Sequence, residues 1–407
     1  MNINDNSSKR QCTSCQMCAA VCPKSAISID LDVDGFYRPM VNVELCVDCS
    51  LCTKVCYKYE EQIEPFGEDK LAGTKLYGAS AKDSEIVKRT TSGGIADVLA
   101  HKLIREGYKC IGVVYDSDKS IAVDRIATSE EELDGFRGSK YIQSYTYAAF
   151  KEMVVNCKDE KYAVFGTPCH IYALDKYLRQ RNVRERHVLI DLYCHGCPSM
   201  NIWKKYVKDV KNKISSEKID NAIFRSKIKG WGSFYVVVVV VDGKPVFHSD
   251  NKHNEFFELF FSDQVLNEAC NDCVLRGTLA YTDIRLGDFW GKQYVMNSKG
   301  VSAVSLVTSK AINLFEKIKG DLIFKEERYN DFLPWQSWGK CHYPKQELRS
   351  KLLAQLRDDS VSIQDCLETI HRQQSVKRKL IRYGKNIVSL LPIQLEKSVR
   401  WVYYKLH

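Results

Sequence analysis

The chain has no stretch approaching the ~18 uninterrupted apolar residues of a membrane-spanning helix. Its longest apolar run, Phe234 to Val241, is of strand length and mostly valine. The opening segment, Met1 to Arg10, is polar, lacks the apolar stretch of a secretory signal and reads as disordered. No GxGxxG occurs, so a dinucleotide fold of that type is not supported. No nucleic-acid recognition motif accompanies the basic residues. These absences lead us to expect a cytoplasmic protein with no transmembrane segment and no nucleic-acid partner.

Cysteine, by contrast, is abundant, at 17 in 407 residues. In a chain of this length without a signal, that abundance points to metal binding or redox chemistry rather than disulfides. The length suits two or three domains. The net charge of +9 is uneven. Met1 to Glu60 holds 6 basic and 7 acidic residues, whereas Lys340 to His407 holds 14 basic and 6 acidic. The tail reads either as a solvated helix face or as a surface for an acidic partner or an anionic membrane.

Two cysteine runs dominate the N-terminal part. The first is Cys12-x2-Cys15-x2-Cys18-x3-Cys22-Pro23, and the second is Cys46-x2-Cys49-x2-Cys52-x3-Cys56. Three closely spaced thiolates wrap one face of a cubane cluster. The fourth lies too far around the following turn and reaches the neighbouring cluster. Cys12, Cys15, Cys18 and Cys56 are therefore assigned to one 4Fe–4S cluster, and Cys22, Cys46, Cys49 and Cys52 to the other. Ala26–Ile29 and Gly35–Pro39 read as a hairpin between the runs. Tyr57 replaces the usual proline after the second run. A zinc ribbon would leave four of these cysteines idle.

Beyond a charged linker at 57–75, the pattern alternates between strand and helix. Strands are expected at Cys110–Tyr115, Tyr162–Phe165, Val188–Tyr193, Phe234–Val241 (turning at Asp242-Gly243) and Val301–Thr308. Helices are expected at Ile95–Glu106, Tyr147–Cys157, 170–181 and Ala311–Lys319. Such alternation suggests an α/β sheet with ligands at the strand ends. From Leu348 onward the chain reads as helical and basic.

Several phrases in this region carry a family resemblance. They are Thr91-Ser92-Gly93-Gly94, Gly138 to Ser144, Gly166-Thr167-Pro168-Cys169, Asp191 to Gly196, Phe224 to Lys227 with Gly230-Trp231, Cys270-x2-Cys273, and Asp283 to Gly291. In this order they resemble the beta subunit of coenzyme F-420 hydrogenase/dehydrogenase, in the form fused to an N-terminal ferredoxin. The resemblance runs from about Cys12 to Thr308. It implies a two-cluster ferredoxin domain at 1–62, the two parts of the beta-subunit region at 63–155 and 156–340, and a basic helical tail at 341–407. The implied fold class is α+β to α/β. A ferredoxin-like module precedes a mixed α/β domain that binds flavin and a third cluster.

Members of that family hold FAD and exchange electrons between it and iron–sulfur clusters. Some act on a deazaflavin, and many bacterial versions accompany surface-polysaccharide genes. The resemblance thus implies an oxidoreductase with a redox partner protein, either a ferredoxin or an enzyme subunit, and a small-molecule substrate. The rival reading is an electron-transfer subunit without its own substrate, docked on an enzyme. Family-like ligation would join Cys169, Cys194, Cys270 and Cys273 around the third cluster. Cys197 departs from the family pattern, and Cys194-x2-Cys197 with Cys270-x2-Cys273 could instead form a four-thiolate zinc site. Cys110, Cys157, Cys341 and Cys366 show no ligand spacing and read as buried thiols.

Thr91 to Gly94 is the candidate pyrophosphate cradle, combining glycines, hydroxyls and a helix N-terminus. Ser139, Lys140, Tyr141 and Gln143 are candidate flavin contacts, as are Gly166 and Thr167, and Lys140 would stabilise an anionic reduced flavin. His195 is a candidate for assisting proton transfer to a reduced substrate, a role for which histidine is a suitable residue type. The Gly287–Gly291 segment reads as a tight turn with Trp290 as an aromatic plug.

Overall fold

The computed structural model describes residues 1–407 except 229, 233–234, 242, 250–253, 375, 389–390, 392 and 407. In the N-terminal module, each cysteine run folds back on itself at two non-glycine residues with left-handed backbone. These are Ser14 (φ 62°) and Gln16 (φ 64°) in the first run, and Asp48 (φ 49°) and Ser50 (φ 62°) in the second. The offsets from Cys12 and Cys46 are the same, so the sequence repeat is also a backbone repeat. Each such residue costs roughly 1–3 kcal/mol and persists only where its surroundings fix it. One-turn helices, Met17–Ala20 and Leu51–Lys54, follow the two turns.

Strands β1 (Ile27–Leu31) and β2 (Tyr37–Val41) form the expected hairpin, with Ile27 opposite Val41 and Leu31 opposite Tyr37. Ile27, Ile29 and Tyr37 pack with Cys18, Cys52 and Ile3. The burial of Ile3 corrects the expectation of disorder before Arg10. This segment closes the module, and the Met1 amino group lies 3.4 Å from Asp48.

The central sheet has nine strands in the order β14-β3-β13-β12-β8-β7-β4-β5-β6. They are β3 (Lys75–Ala81), β4 (Lys109–Asp116), β5 (Ile121–Ala127), β6 (Ser144–Tyr145), β7 (Tyr162–Phe165), β8 (Val188–Leu192), β12 (Ile284–Asp288), β13 (Ser302–Leu306) and β14 (Leu322–Glu327). Neighbours β12, β8, β7 and β4 run parallel; antiparallel pairs extend the sheet through β13, β3 and β14 on one side, and on the other antiparallel β5 is followed by β6 parallel to it. A separate antiparallel sheet holds β9 (Ala222–Ser226), β10 (Tyr235–Val241) and β11 (Lys244–His248). Phe234 and Asp242, expected to start and turn the β10 strand, lie outside the described residues. Gly287 and Asp288, expected in a tight turn, instead end β12 by pairing with Ala303 and Ser302.

The module docks on the β6 edge through polar side chains. Gln16 Nε2 donates to Ser144 O (2.9 Å), and its Oε1 accepts from Thr146 N (2.9 Å) and Tyr147 N (3.1 Å). Thr146 Oγ1 donates to Cys15 O (3.0 Å), and Gln143 Nε2 donates to Ser14 O (3.1 Å). Gln16, Gln143 and Thr146 are buried, so these bonds face little competition from water.

Only part of the basic tail is a solvated face. Helices Gln346–Arg357 and Ile363–Arg372 bury Leu352, Leu356 and Leu367 against Trp203 and Tyr206 of helix Met200–Ile214. Cys366 is buried there, and Cys110 and Cys157 are buried under the main sheet's helices, whereas Cys341 is exposed, contrary to expectation. Among the described residues, no helix is long and apolar enough to cross a membrane.

Asp124 on β5 is buried with neither oxygen in a well-formed hydrogen bond. Burial pushes its carboxyl up to about 7, against a smaller lowering by the Ser144 hydroxyl. The folded pKa is thus raised above the unfolded value, so stability falls as pH rises from about 4 to about 7. Asp124→Asn removes this loss. Its stability relative to the natural chain should improve by about 2–3 kcal/mol between pH 5 and pH 8, measured by urea unfolding.

Candidate metal centres

Two small cavities in the module are lined by thiols. Cys12, Cys15, Cys18 and Cys56 line the first, with Ile29 and Tyr37. Cys22, Cys46, Cys49 and Cys52 line the second, with Pro23 and Val47. Each set takes three thiols from one run and one from the other, the crossover that the spacing predicts. Cys15 and Cys18 are buried while Cys49 is exposed, which makes the first cavity inner and the second outer.

Backbone and side-chain donors already point at the sulfurs. Ser14 N–H donates to Cys12 Sγ (3.4 Å), Ala26 N–H to Cys22 Sγ (3.3 Å) and Asn2 Nδ2 to Cys46 Sγ (3.7 Å). Burial pushes the Cys15 thiol up to about 11 and Cys18 well above its ordinary value. Such thiols keep their protons until a metal displaces them, so loading releases protons and is favoured by higher pH.

The remaining candidate thiols gather at the ends of parallel strands. Chain leaving β7 turns through Gly166 and Thr167 into helix Pro168–Gln180, which carries Cys169 in its first turn. Thr167 Oγ1 lies 3.1 Å from Cys169 Sγ. Adjacent β8 ends two residues before Cys194. Two neighbouring strands thus deliver their cysteines on the side where open α/β sheets bind ligands. Cys270 and Cys273 come from a loop of 3-10 turns. Burial raises all four thiols; neighbouring sulfurs add to it at Cys169, Cys194 and Cys270, and Arg276 and Arg285 oppose it at Cys194 and Cys273. Cys169 feels Cys15, Cys194 and Cys273, and Cys270 feels Cys194 and Cys273. Cys169 thus has in its charge environment a thiol of the module's inner cavity, Cys15, and two thiols of the other group, Cys194 and Cys273.

Cys197 joins this neighbourhood, its N–H donating to Cys270 Sγ (3.4 Å). The sulfurs are nevertheless too far apart for one zinc ion. Tetrahedral Zn–S bonds of about 2.3 Å set sulfurs about 3.8 Å apart. Among the described residues, no three cysteine sulfurs lie within 4.8 Å of one another.

Two arginines hold this group in place. Arg285 on β12 grips Asp191 on β8 with both carboxylate oxygens (2.8 and 2.5 Å) and donates to the Leu275 and Arg276 carbonyls. Arg276 donates to the Cys270 and Lys340 carbonyls. The Arg285–Asp191 pair thereby ties the strand leading to Cys194 to the loop carrying Cys273. Both partners are buried, so Arg285→Met strands a buried carboxylate. We expect it to destabilise the chain by about 3–5 kcal/mol, measured by urea unfolding.

Residues expected at a flavin fall into separate hydrogen-bonded groups. Ser139 N–H donates to Thr91 Oγ1 (2.8 Å), which brings those two loops together, and Gly94 (φ 84°) opens helix Ile95–Arg105. Ser92 Oγ donates to Val301 O (2.9 Å) and Gly93 N–H to Ser302 Oγ (3.0 Å). The Lys140 ammonium is held by the Gly135 and Arg137 carbonyls (2.9 and 3.0 Å). Tyr141 accepts from Arg225 (3.0 Å) among Phe224, Phe257 and Phe260. Gln143 faces the module, and Gly166 and Thr167 stand beside Cys169. The Ser92 hydroxyl and the Gly93 N–H are thus already used within the protein.

His195 is bound rather than free, with Nε2 2.8 Å from Asp263 Oδ1. His342 joins them, its Nδ1 3.2 Å from Asp263 Oδ2 and its Nε2 2.8 Å from His195 O. Both histidines hold the Asp263 carboxyl well below its usual range, although burial opposes them. Asp263 and His342 had no signal in the sequence, because their pairing depends on loops that meet only in the fold. Arg285 and Asp191 lay inside the quoted motifs without an assigned role. Trp290 stacks on Trp231 (5.1 Å between rings).

Family comparison agrees with this architecture. Residues 76–151 match the coenzyme F420 hydrogenase/dehydrogenase beta subunit N-term model, and residues 159–331 match the model of its C terminus. A 4Fe-4S dicluster domain matches residues 11–58. The chain belongs to the family of coenzyme F420 hydrogenase/dehydrogenase beta subunits. Within this family, the chain is 28% identical over 189 residues to a subunit of the F(420)H(2) dehydrogenase of Methanosarcina mazei, covering 44% of this chain and 51% of that one. It is 25% identical over 260 residues to a coenzyme F420 hydrogenase subunit beta of Methanococcus voltae, covering 61% and 84%. The chain thus spans about half the length of the dehydrogenase relative. A chain of the F420-reducing NiFe hydrogenase complex from Methanosarcina barkeri is similar at 18% identity and a TM-score of 0.45, over 74% of this chain and 94% of that one.

Proposed function

We propose that this member of the family is an iron–sulfur oxidoreductase that takes electrons from a redox partner protein at its outer cavity and delivers them beside Cys169. The observation that carries this reading is the ordered series of thiols. It runs from exposed Cys49 through the inner set of Cys12, Cys15, Cys18 and Cys56 to Cys169, whose charge environment includes Cys15. Bound 4Fe–4S clusters would supply one-electron transfer along that series. The chain's own part is to fix the sulfurs on strand ends and left-handed turns, to point N–H donors at them, and to exclude water from the inner set.

Cys12, Cys15, Cys18 and Cys56 would hold the inner cluster, and Cys22, Cys46, Cys49 and Cys52 the outer one. Cys169, Cys194, Cys270 and Cys273 would hold a third. Arg276 and Arg285, whose charges reach Cys194 and Cys273, favour the more negative reduced state there. FAD and an organic substrate complete the reading. A flavin pyrophosphate held by Thr91 to Gly94 would compete with the Ser139–Thr91 and Gly93–Ser302 bonds. Anaerobic purification followed by iron analysis and flavin extraction tests the proposal. About twelve irons per chain support it. About eight without flavin favour an electron-transfer subunit that serves an enzyme elsewhere, and zinc in place of iron overturns it.

A further inference from the structure

The last two helices, Val376–Val388 and Ile393–Leu406, lie beyond the family match and differ from the rest of the tail. On the first, Val376, Leu380, Tyr383 and Ile387 are 74%, 66%, 62% and 65% exposed. Their spacing of four, three and four residues puts them on one helical face. The second repeats the pattern, with Leu395, Val399 and Val402 about half exposed. A globular protein turns such a face inward, as the preceding helices do with Leu352, Leu356 and Leu367.

The sequence around this face is strongly basic. Residues 376–407 contain eight Lys or Arg and one acidic residue, Glu396. Lys377, Arg378, Lys379, Arg382 and Lys385 fill positions between the apolar ones of the first helix. Trp401, Tyr403 and Tyr404 stand near the end of the second. Lys397 Nζ reaches Met296 O (3.4 Å), so the second helix is held to the body of the protein.

We infer that these two helices lie in the headgroup region of an anionic lipid bilayer and hold the protein at a membrane surface. An exposed apolar stripe among lysines and arginines, with aromatic residues at one end, is the composition of interfacial helices. Anionic headgroups complement the basic excess. Two other occupants fit less well. A second copy of the chain would set one basic tail against another. Protein interfaces are depleted in lysine, whereas five of these eight basic residues are lysines.

The test is sedimentation of the full chain, purified without oxygen, with vesicles of phosphatidylcholine alone or mixed equally with phosphatidylglycerol. The chain should sediment with the mixed vesicles, at least tenfold more weakly with phosphatidylcholine alone, and should be released by 0.5 M salt. Leu380→Glu with Ile387→Glu, at two exposed positions, should weaken binding to mixed vesicles at least tenfold. Its iron content and visible absorption should stay unchanged, which shows the body intact. The inference is overturned by absence of sedimentation with mixed vesicles, by equal binding to both kinds, or by undiminished binding of the double variant. Capture of an acidic protein in place of vesicles also overturns it.

Discussion

Cys56→Ala should cost the inner cluster and leave the outer one, although Cys56 belongs to the second cysteine run. We expect a loss of about four irons per chain. The low-temperature EPR of the dithionite-reduced protein should lose the broadening that coupled neighbouring clusters give and keep the separate signals of the outer and third clusters. Transfer from an external dye to the Cys169 region should fall at least tenfold, because the missing cluster is the middle of the series. The basis is the lining of the two cavities, in which Cys56 faces Cys12, Cys15 and Cys18 and not the cysteines of its own run. Cys22→Ala is the mirror experiment and should cost the outer cluster. The crossover fails as an account of this chain if Cys56→Ala and Cys49→Ala remove the same spectroscopic species.

The second large effect concerns the thiols outside the module. Cys169→Ala should remove about four irons and spare the coupled pair in the EPR spectrum. Cys197→Ala should leave iron unchanged. Both residues are half-buried near Cys194, so exposure alone does not separate them. Position does. Cys169 begins a helix at the end of β7 and has Cys15, Cys194 and Cys273 in its charge environment, whereas Cys197 follows β8 and has Cys270, Cys194 and Arg38 in its own. Metal lost from Cys197→Ala and retained in Cys169→Ala would reverse the assignment.

Much of this was legible because it is local. The cysteine spacing set the two module sites, since a turn of three residues decides which sulfur can reach which cluster. Tyr162–Phe165 and Val188–Leu192 showed themselves as short apolar runs, because parallel strands covered on both faces need no polar alternation. Strands β5 and β14 did not. Asp124 and Arg125 interrupt the first, and Lys325, Glu326 and Glu327 end the second, which among the described residues is an edge strand paired with β3. Nor did sequence reveal that Thr91 meets Ser139, or that His195 is fastened to Asp263 and His342. Those contacts join loops far apart in the chain, and their residue types are common on any surface. The disorder expected before Arg10 failed for a similar reason. Buried Ile3, together with the Tyr59 hydroxyl donating to the Ile3 and Asp5 carbonyls, seats the segment once the module exists to receive it.

Gln16, Gln143 and Thr146 give the module one fixed seat on the β6 edge. It is therefore no swinging arm, despite the charged connector that follows it. Cys15 lies within the charge environment of Cys169, and on the proposed route internal electron flow needs no conformational gate. Raising solvent viscosity would slow only the arrival of a donor at the outer cavity, while transfer inside the protein kept its pace.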